Sequence, residues 1–342
     1  MKKLDVILIC DTMGETPQNR NYLELFKKKE YKTERQCYES LKNLGHDIRV
    51  VGIYDDIRPL LDAVAEKKPD IFFNLVEHFH GQSFYERNIV GLFELLQIPY
   101  TGSNPAAMVL CKNKGITKEI LSHHHIHVSK FKIFYRGCRV YHPKWLKYPV
   151  IIKPLRDESS YGISNASVIS NDTDLKERAN FIHDNLAQDV IAEEYIEGRE
   201  LYVSMLGNRI ITTFPIRELK LPIENEGPQI ATYKVKWDPE YRKKWKVRYG
   251  FAYLKDPVLE KKIIETSKRV YKILRIRGYA RIDIRLTSDK EVFVIEANPN
   301  PGITKDDDFA LSARKHGLNF DDLVSKILSL GLEYNEDSSI QE

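Results

Sequence analysis

Cysteine is scarce in this chain of 342 residues: the four thiols, Cys10, Cys37, Cys111 and Cys138, lie far apart and form no CxxC pair. That spacing argues against a disulfide framework and a cysteine-based zinc site, and it fits a reducing cytoplasm. Long apolar runs are missing too. The run near the start, in 1-MKKLDVILICDTMGE-15, is only about six residues long, short of the roughly 7 to 15 of a signal-peptide core, and reads as a first strand. Nothing approaches the ~20 apolar residues of a membrane-spanning helix. Nor does one sign of charge dominate. Lys and Arg number 53 against 49 Asp and Glu, a formal net charge of +4, so no overall field points to nucleic acid or a membrane as partner. A hydrophobic share of 42% and a charged share of 30% are those of a soluble globular protein, and this length predicts two or three folding units around a shared cleft.

Through the first hundred residues strand and helix patterns alternate. Apolar runs at 4–10, 48–53 and 71–75 are separated by helical spacing at 33–47 and 56–70, and a further helix follows at 85–97. Such alternation implies a parallel sheet with covering helices, whose ligands bind beyond the carboxyl ends of the strands, here near Asp11 and 74-NLVEHFHGQ-82. After the turn-rich 99-PYTGSNPA-106 come a helix at about 107–124, strands at 130–135, 149–154 and 165–170, a helix at 172–186 and the segment 189-DVIAEEYIEG-198. The last stretch has strands at 200–206 and 209–216, a polar, aromatic-studded segment from about 217 to 253, and an amphipathic helix at 256–277 with Leu259, Ile263, Val270 and Leu274 on one face. Strands 279-YARIDIRL-286 and 291-EVFVIEAN-298 then form a hairpin. Domains are predicted at 1–103, 104–195 and 196–335, with a polar tail at 336–342.

That hairpin puts carboxylates where a sheet usually holds hydrocarbon. Alternation sends Arg281, Asp283 and Arg285 to one face of the first strand, and Val292, Val294, Glu296 and Asn298 to one face of the second. Paired antiparallel, Asp283 and Glu296 face each other, and two like charges there repel unless a cation lies between them. Oxygen donors without Cys or His suit Mg²⁺, which usually bridges to phosphates. The alternative is two unrelated carboxylates on a surface hairpin. Elsewhere, Lys153 closes an apolar strand and precedes 155-LRDESSYG-162, whose Ser159, Ser160 and Gly162 form a flap suited to an oxyanion.

The order R-I-D, then E-A-N, then P-G resembles the ATP-grasp ligases, in particular the D-alanine:D-alanine ligase branch. The likeness spans most of the chain, is strongest at 71–119 and 149–317, and is weak before residue 70. It implies three domains of α/β and α+β class: an N-terminal Rossmann-like parallel sheet, a small central α+β domain and a C-terminal antiparallel-sheet catalytic domain. It also implies ATP, two Mg²⁺ ions (with Mn²⁺ as a substitute) held by Asp283, Glu296 and Asn298, and Arg281 with the Gly302 backbone amide stabilising the reacting groups. Lys114, Lys153, Ser159, Ser160 and Lys236 match phosphate contacts, with Lys118 or Lys112 able to stand in for Lys114. Glu193 corresponds to the acceptor of the adenine amino group, Tyr195 and Ile196 to backbone contacts, and Glu200 to the ribose partner. The implied reaction joins an amino-acid or small-peptide carboxylate to an amine through an acyl phosphate. A homodimer is the family analogy.

Substrate positions depart from the family pattern. The N-terminal loop, 10-CDTMGETPQNRN-21, lacks the glycine pair, with Glu34 the equivalent of the family's ammonium-binding glutamate and His80 placed near the donor. Glu158 stands where glycine is usual. Asp307 replaces the serine that grips the second substrate's carboxylate, and Trp237 replaces the lid tyrosine. These differences argue against D-alanyl-D-alanine as product and for a related carboxylate:amine ligase whose acceptor carries an amine or hydroxyl near Asp307. The alternatives are an authentic D-alanine:D-alanine ligase, a thioester- or phosphate-forming relative, and an ATP-binding regulatory protein without turnover. The cluster 123-HHHIH-127 reads as a plain helix end rather than a metal site. The run 242-RKKWKVRYG-250 suits a lid over polyphosphate better than a nucleic-acid patch.

Overall fold

The structure, a computed structural model, describes residues 2–14, 20–156, 164–221, 232, 235 and 238–338. Its first sheet is built from β1 (Asp5–Asp11), β2 (Asp47–Ile53) and β3 (Ile71–Leu75), all parallel in the order β2-β1-β3. Six of the seven β1 residues are buried, the continuous burial of a parallel strand covered on both faces. Around it lie α1 (Lys32–Asn43), α2 (Arg58–Glu66) and α3 (Glu86–Leu95).

The single helix predicted at about 107–124 is two: α4 (Pro105–Lys112) and α5 (Lys114–His123). Asn113 breaks them. Its backbone is extended, with φ −106° and ψ 98°, and its side chain accepts from the amides of Gly115 and Ile116, capping α5. Lys114 thereby opens a helix rather than lying inside one.

The second sheet is antiparallel in the order β4-β7-β5-β6, from β4 (Phe131–Phe134), β5 (Val150–Pro154), β6 (Val168–Ile169) and β7 (Val190–Glu194), with α6 (Asp172–Asn185) packed on it. The third follows the path β11-β10-β8-β12-β13, with β9 attached to β8. Its strands are β8 (Arg199–Leu206), β9 (Thr212–Thr213), β10 (Arg217–Lys220), β11 (Arg248–Phe251), β12 (Tyr279–Leu286) and β13 (Val292–Pro299). The strand predicted at 209–216 is thus reduced to the two residues of β9. A short α7 (Pro239–Lys244) precedes β11, and α8 (Pro257–Ile273) buries Ile263 and Val270 together with Leu274 in the core under β8, β12 and β13.

Two further helices, α9 (Asp308–Lys315) and α10 (Phe320–Ser338), follow β13. Chain order places α10 with the third sheet, yet it packs on α1 and β3. One apolar cluster joins Val6, Leu8 and Phe73 of the first sheet to Tyr279, Phe309, Leu323 and Leu328. Among the described residues, no helix is long and apolar enough to cross a membrane.

Candidate active site

Asp283 faces Glu296 and Arg281 faces Asn298 across the β12–β13 ladder. The phase of β13 differs from simple alternation. A register shift after Asp283 pairs Ile284 with Val294 and leaves Ile295 extra. Val292, Val294 and Ala297 are consequently buried, while Phe293, Ile295, Glu296 and Asn298 are half-buried. The bulge corrects the reading that set Glu296 on the face of Val292 and Val294: one inserted residue turns the valines into the core and the polar pair into the cleft.

Asp283 is only 3% exposed. Arg281 offsets its charge with a two-pronged contact, Nε donating to Oδ1 at 2.7 Å and Nη2 to Oδ2 at 2.9 Å. Lys114 Nζ lies 3.6 Å from Glu296 Oε1. Asn298 ends in a buried amide whose Nδ2 finds no hydrogen-bond partner among the described residues, and a half-turn of that amide puts its oxygen in the same place. Among the described residues no group of three His, Cys, Asp or Glu side chains is arranged for a metal ion. Here the third donor is an amide, and three adjacent oxygen donors fit a hard divalent cation.

A slot runs between the second sheet and this hairpin, lined by Lys153, Glu193, Tyr195, Ile196, Arg285 and Phe293 among others. Glu193 lies at its base. Lys118 and Lys153 approach its Oε2 at 3.2 Å and 3.3 Å, and the Ser129 hydroxyl donates to the same oxygen at 3.1 Å. Burial alone would push this carboxyl up, but the two lysines outweigh it and hold the group at about 2. Its Oε1 is buried with no hydrogen-bond partner among the described residues. Tyr195 donates its amide to the Pro149 carbonyl at 2.9 Å. Glu200 accepts from Arg285 Nη2 at 2.9 Å and from the Tyr202 hydroxyl at 2.8 Å. Of the lysines weighed as partners for phosphate, Lys114 stands beside Glu296, Lys118 beside Glu193, and Lys112 forms an ion pair with Glu86. Ser129 and Arg285 were missed in the sequence. Arg285 carried a signal, since it shares its strand face with Arg281 and Asp283.

Two more cavities meet at Gly302, which lines both. One lies beyond the ends of β1 and β3 and contains Glu34, Glu77, Glu86 and Asn300. The other, about 340 Å³, contains Arg217, Arg242, Arg281, Tyr249 and Asp307. Asp307 immediately precedes α9 as its N-cap, and its Oδ2 accepts from the Thr304 amide at 2.9 Å. A Cβ on Gly302 would lie 2.8 Å from that oxygen, so the absence of a side chain at 302 lets the 302–304 loop close on Asp307. Burial raises the Asp307 carboxyl above its usual range. Arg217 Nε donates to Asp308 Oδ1 at 2.9 Å. His80, predicted near the donor, is exposed in a turn with its ring stacked on Tyr54, and Glu77 lines the cavity instead. Ser159, Ser160, Lys236 and Trp237, with Glu158 and Gly162, lie outside the described residues.

A family model for the D-ala D-ala ligase C-terminus matches residues 120–329. The D-alanine–D-alanine ligase of Aquifex aeolicus is 30% identical over 298 residues, covering 87% of this chain and 94% of that protein. That of Carboxydothermus hydrogenoformans is 31% identical over 310 residues, covering 88% and 93%. Among solved structures, the D-alanine–D-alanine ligase of Bacillus anthracis complexed with ATP shares the fold, with a TM-score of 0.75, 19% identity and coverage of 98% of this chain and 99% of that one. With the match spanning both antiparallel sheets and the hairpin that carries Arg281, Asp283, Glu296 and Asn298, this chain belongs to the D-alanine–D-alanine ligase family of ATP-grasp proteins.

Proposed function

We propose that the protein is an ATP- and Mg²⁺-dependent, ADP-forming ligase that joins the carboxylate of an amino acid or small peptide to an amine. The observation that carries this reading is Gly302. It walls an acidic cavity on one side and an arginine-lined cavity on the other, so one backbone position lies between the two places where substrates of opposite character would sit.

In this reading adenine occupies the slot, with Glu193 Oε1 accepting its amino group, Tyr195 and Ile196 along its edge and Glu200 toward the ribose. Lys114, Lys153 and Lys236 serve the phosphates, as do Ser159 and Ser160. Asp283, Glu296 and Asn298 would hold Mg²⁺, which offsets negative charge on the phosphates. The donor carboxylate takes the terminal phosphoryl group of ATP, giving an acyl phosphate and ADP, and the acceptor amine then displaces phosphate. Arg281 and the Gly302 amide face the carbonyl oxygen as charge develops there. Positioning supplies most of the rate, since little proton transfer is asked of the protein.

On the acceptor side the sequence expectation of an amine near Asp307 is kept, and a place for the acceptor's carboxylate is added to it. Asp307 Oδ2 is committed to the Thr304 amide, and Arg217, Arg242 and Arg281 line the same cavity. An acceptor amino acid then places its carboxylate toward the arginines and its amine toward Asp307. The same proposal takes the protein to be cytoplasmic and homodimeric. A second reading, two D-alanines as substrates, is favoured by the names of the curated relatives. The test is phosphate and ADP release by the purified protein with ATP, Mg²⁺ and a panel of paired D- and L-amino acids, with products identified by mass spectrometry. An amide product from any pair supports the ligase, and D-alanyl-D-alanine alone selects the second reading. Nucleotide binding without ADP formation from any pair would instead indicate a regulatory protein.

A further inference from the structure

The arginine-lined cavity beside Gly302 contains three consecutive carboxylates, Asp306, Asp307 and Asp308, and cations answer two of them. Asp306 Oδ2 lies 2.7 Å from Lys32 Nζ of α1, and Asp308 Oδ1 accepts from Arg217 Nε of β10 at 2.9 Å. Asp307 differs. Its Oδ2 accepts from the Thr304 amide, and among the described residues its Oδ1 has no hydrogen-bond or ion-pair partner. The other groups lining the cavity are poor proton acceptors. Arg217, Arg242 of α7 and Arg281 of β12 carry fixed charge and have no lone pair to offer. Tyr202 of β8 and Tyr249 of β11 are kept protonated, burial pushing both phenols up. Burial is also the main influence on Asp307, raising its carboxyl; the Thr304 hydrogen bonds and Arg281 oppose the rise, and Asp308 adds to it. This carboxylate therefore binds a proton more tightly than a solvated one.

Building on the proposed ligase reading, in which the acceptor enters this cavity, we infer that Asp307 is the general base that takes a proton from the acceptor's ammonium group. Its position suits the task. The carboxyl packs against Gly302, so closely that a Cβ there would lie 2.8 Å from Oδ2. In the ligase reading the Gly302 amide faces the acyl carbonyl, which makes the base and the carbon under attack neighbours. A protonated amine has no lone pair with which to attack. Transfer of one proton to Asp307 Oδ1 frees the nitrogen pair, and that pair forms the C–N bond at the acyl carbon. The C–O bond to phosphate then breaks, and a second N–H proton leaves with the phosphate, which departs as hydrogen phosphate. Asp307 returns its proton to solvent. Asp307 is on this view a catalytic residue of the second half-reaction, and the first half-reaction does not need it.

Hydroxylamine separates this role from the rest of the cycle, because it is neutral at pH 7 and attacks an acyl phosphate without help from a base. Wild type and Asp307→Asn are each given ATP, Mg²⁺ and the panel of D- and L-amino acids as donors, with either an amino acid or hydroxylamine as acceptor, and amide, hydroxamate and ADP are measured. Asparagine keeps an oxygen for the Thr304 amide, so the loop retains its hold. At pH 7 and saturating acceptor, Asp307→Asn should lower amide formation about a hundredfold, the scale of a lost general base, while hydroxamate formation stays near that of the wild type. The residual amide rate of the variant should climb about tenfold per pH unit as the acceptor loses its own proton, whereas the wild type levels off at lower pH. Equal losses of amide and hydroxamate would overturn the inference, since a base for the amine has no part in making the acyl phosphate. So would amide formation by the variant at the wild-type rate. If the wild type forms no hydroxamate from any donor, the ligase reading fails and the base falls with it; hydroxamate from the wild type with an unaffected variant removes the base alone.

Discussion

At the scale of single residues, the site is governed by where charge is buried and what answers it. Glu34 is the clearest case for a pH effect. Burial holds its folded pKa at about 7, above the 4.5 of a free glutamate, so the native state holds the proton more tightly than the unfolded chain. The resulting stability is fully present below about pH 4.5 and is lost as pH rises through 7. Glu34→Gln should therefore gain stability relative to the wild type between pH 5 and 8, by at most about 3 kcal/mol, while losing affinity for any ammonium-bearing donor. Urea denaturation of both proteins at several pH values checks the first half, and a parallel offset between the two curves at every pH would refute it. Glu193 has the opposite sign. Its carboxylate is fully ionised because Lys118 and Lys153 converge on one oxygen. Replacing Lys118 by Met leaves a buried anion with half of its cationic support, and the expected loss is about 3 kcal/mol. Adding Glu193→Gln to Lys118→Met should recover much of that loss in a double-mutant cycle, whereas simple addition of the two effects would mean that the lysine and the glutamate are not coupled.

At the scale of elements, the β12–β13 hairpin shows what a strand pattern reveals and what it conceals. That Asp283 and Glu296 lie on the two strands of one hairpin was legible in the sequence, but their facing depends on the bulge, because the register of Leu286 with Val292 and Ile284 with Val294 would otherwise set Asp283 opposite Ile295. The bulge at Ile295 was not legible, since an inserted residue leaves no mark in a run of Val, Phe, Val and Ile; only the burial of Ala297 beside Glu296 exposes it. The break between α4 and α5 was equally hidden, because Asn113 is one polar residue in a helical pattern, and its capping role depends on the amides of Gly115 and Ile116. The departure of α10 from its neighbours in the chain has a similar cause: its apolar stripe says that it is buried, not against what. Gly331 identifies the surface. A Cβ there would meet the Tyr100 carbonyl oxygen at 2.8 Å and Ile71 Cδ1 at 2.9 Å, contacts made by the return of the C-terminal helix to the first sheet. Gly331→Val should cost about 1–3 kcal/mol through overpacking against backbone that cannot yield, and should lower the thermal midpoint. A midpoint equal to that of the wild type would mean that α10 is not docked there.

At the scale of the whole molecule, the three sheets matter because each supplies one wall of the site. The second sheet gives Lys153, Glu193, Tyr195 and Ile196 to the slot, and the hairpin of the third gives Arg285, Phe293 and Ile295. The first sheet, through α1 and the residues after β3, meets the 300–303 loop around Gly302. A ligand in the slot thus touches two separately packed bodies of structure, and its binding free energy adds to the cohesion between them. An ATP analogue with Mg²⁺ at one hundred times its dissociation constant should raise stability by about 2.7 kcal/mol. The metal share of that gain is separable. With Asp283, Glu296 and Asn298 as ligands, chelation by EDTA should remove most of it, and Glu296→Gln should make the residual gain insensitive to EDTA. Glu296 is a fair choice for this test because its protein partner, Lys114, opens α5 at the edge of the slot and keeps the cap supplied by Asn113 when the charge at 296 is removed. If scanning calorimetry found the same nucleotide-induced shift with and without EDTA in the wild type, the acidic pair would be answered by Arg281 and Lys114 in the loaded protein as well. The hairpin would then be a scaffold for arginine chemistry rather than a metal site.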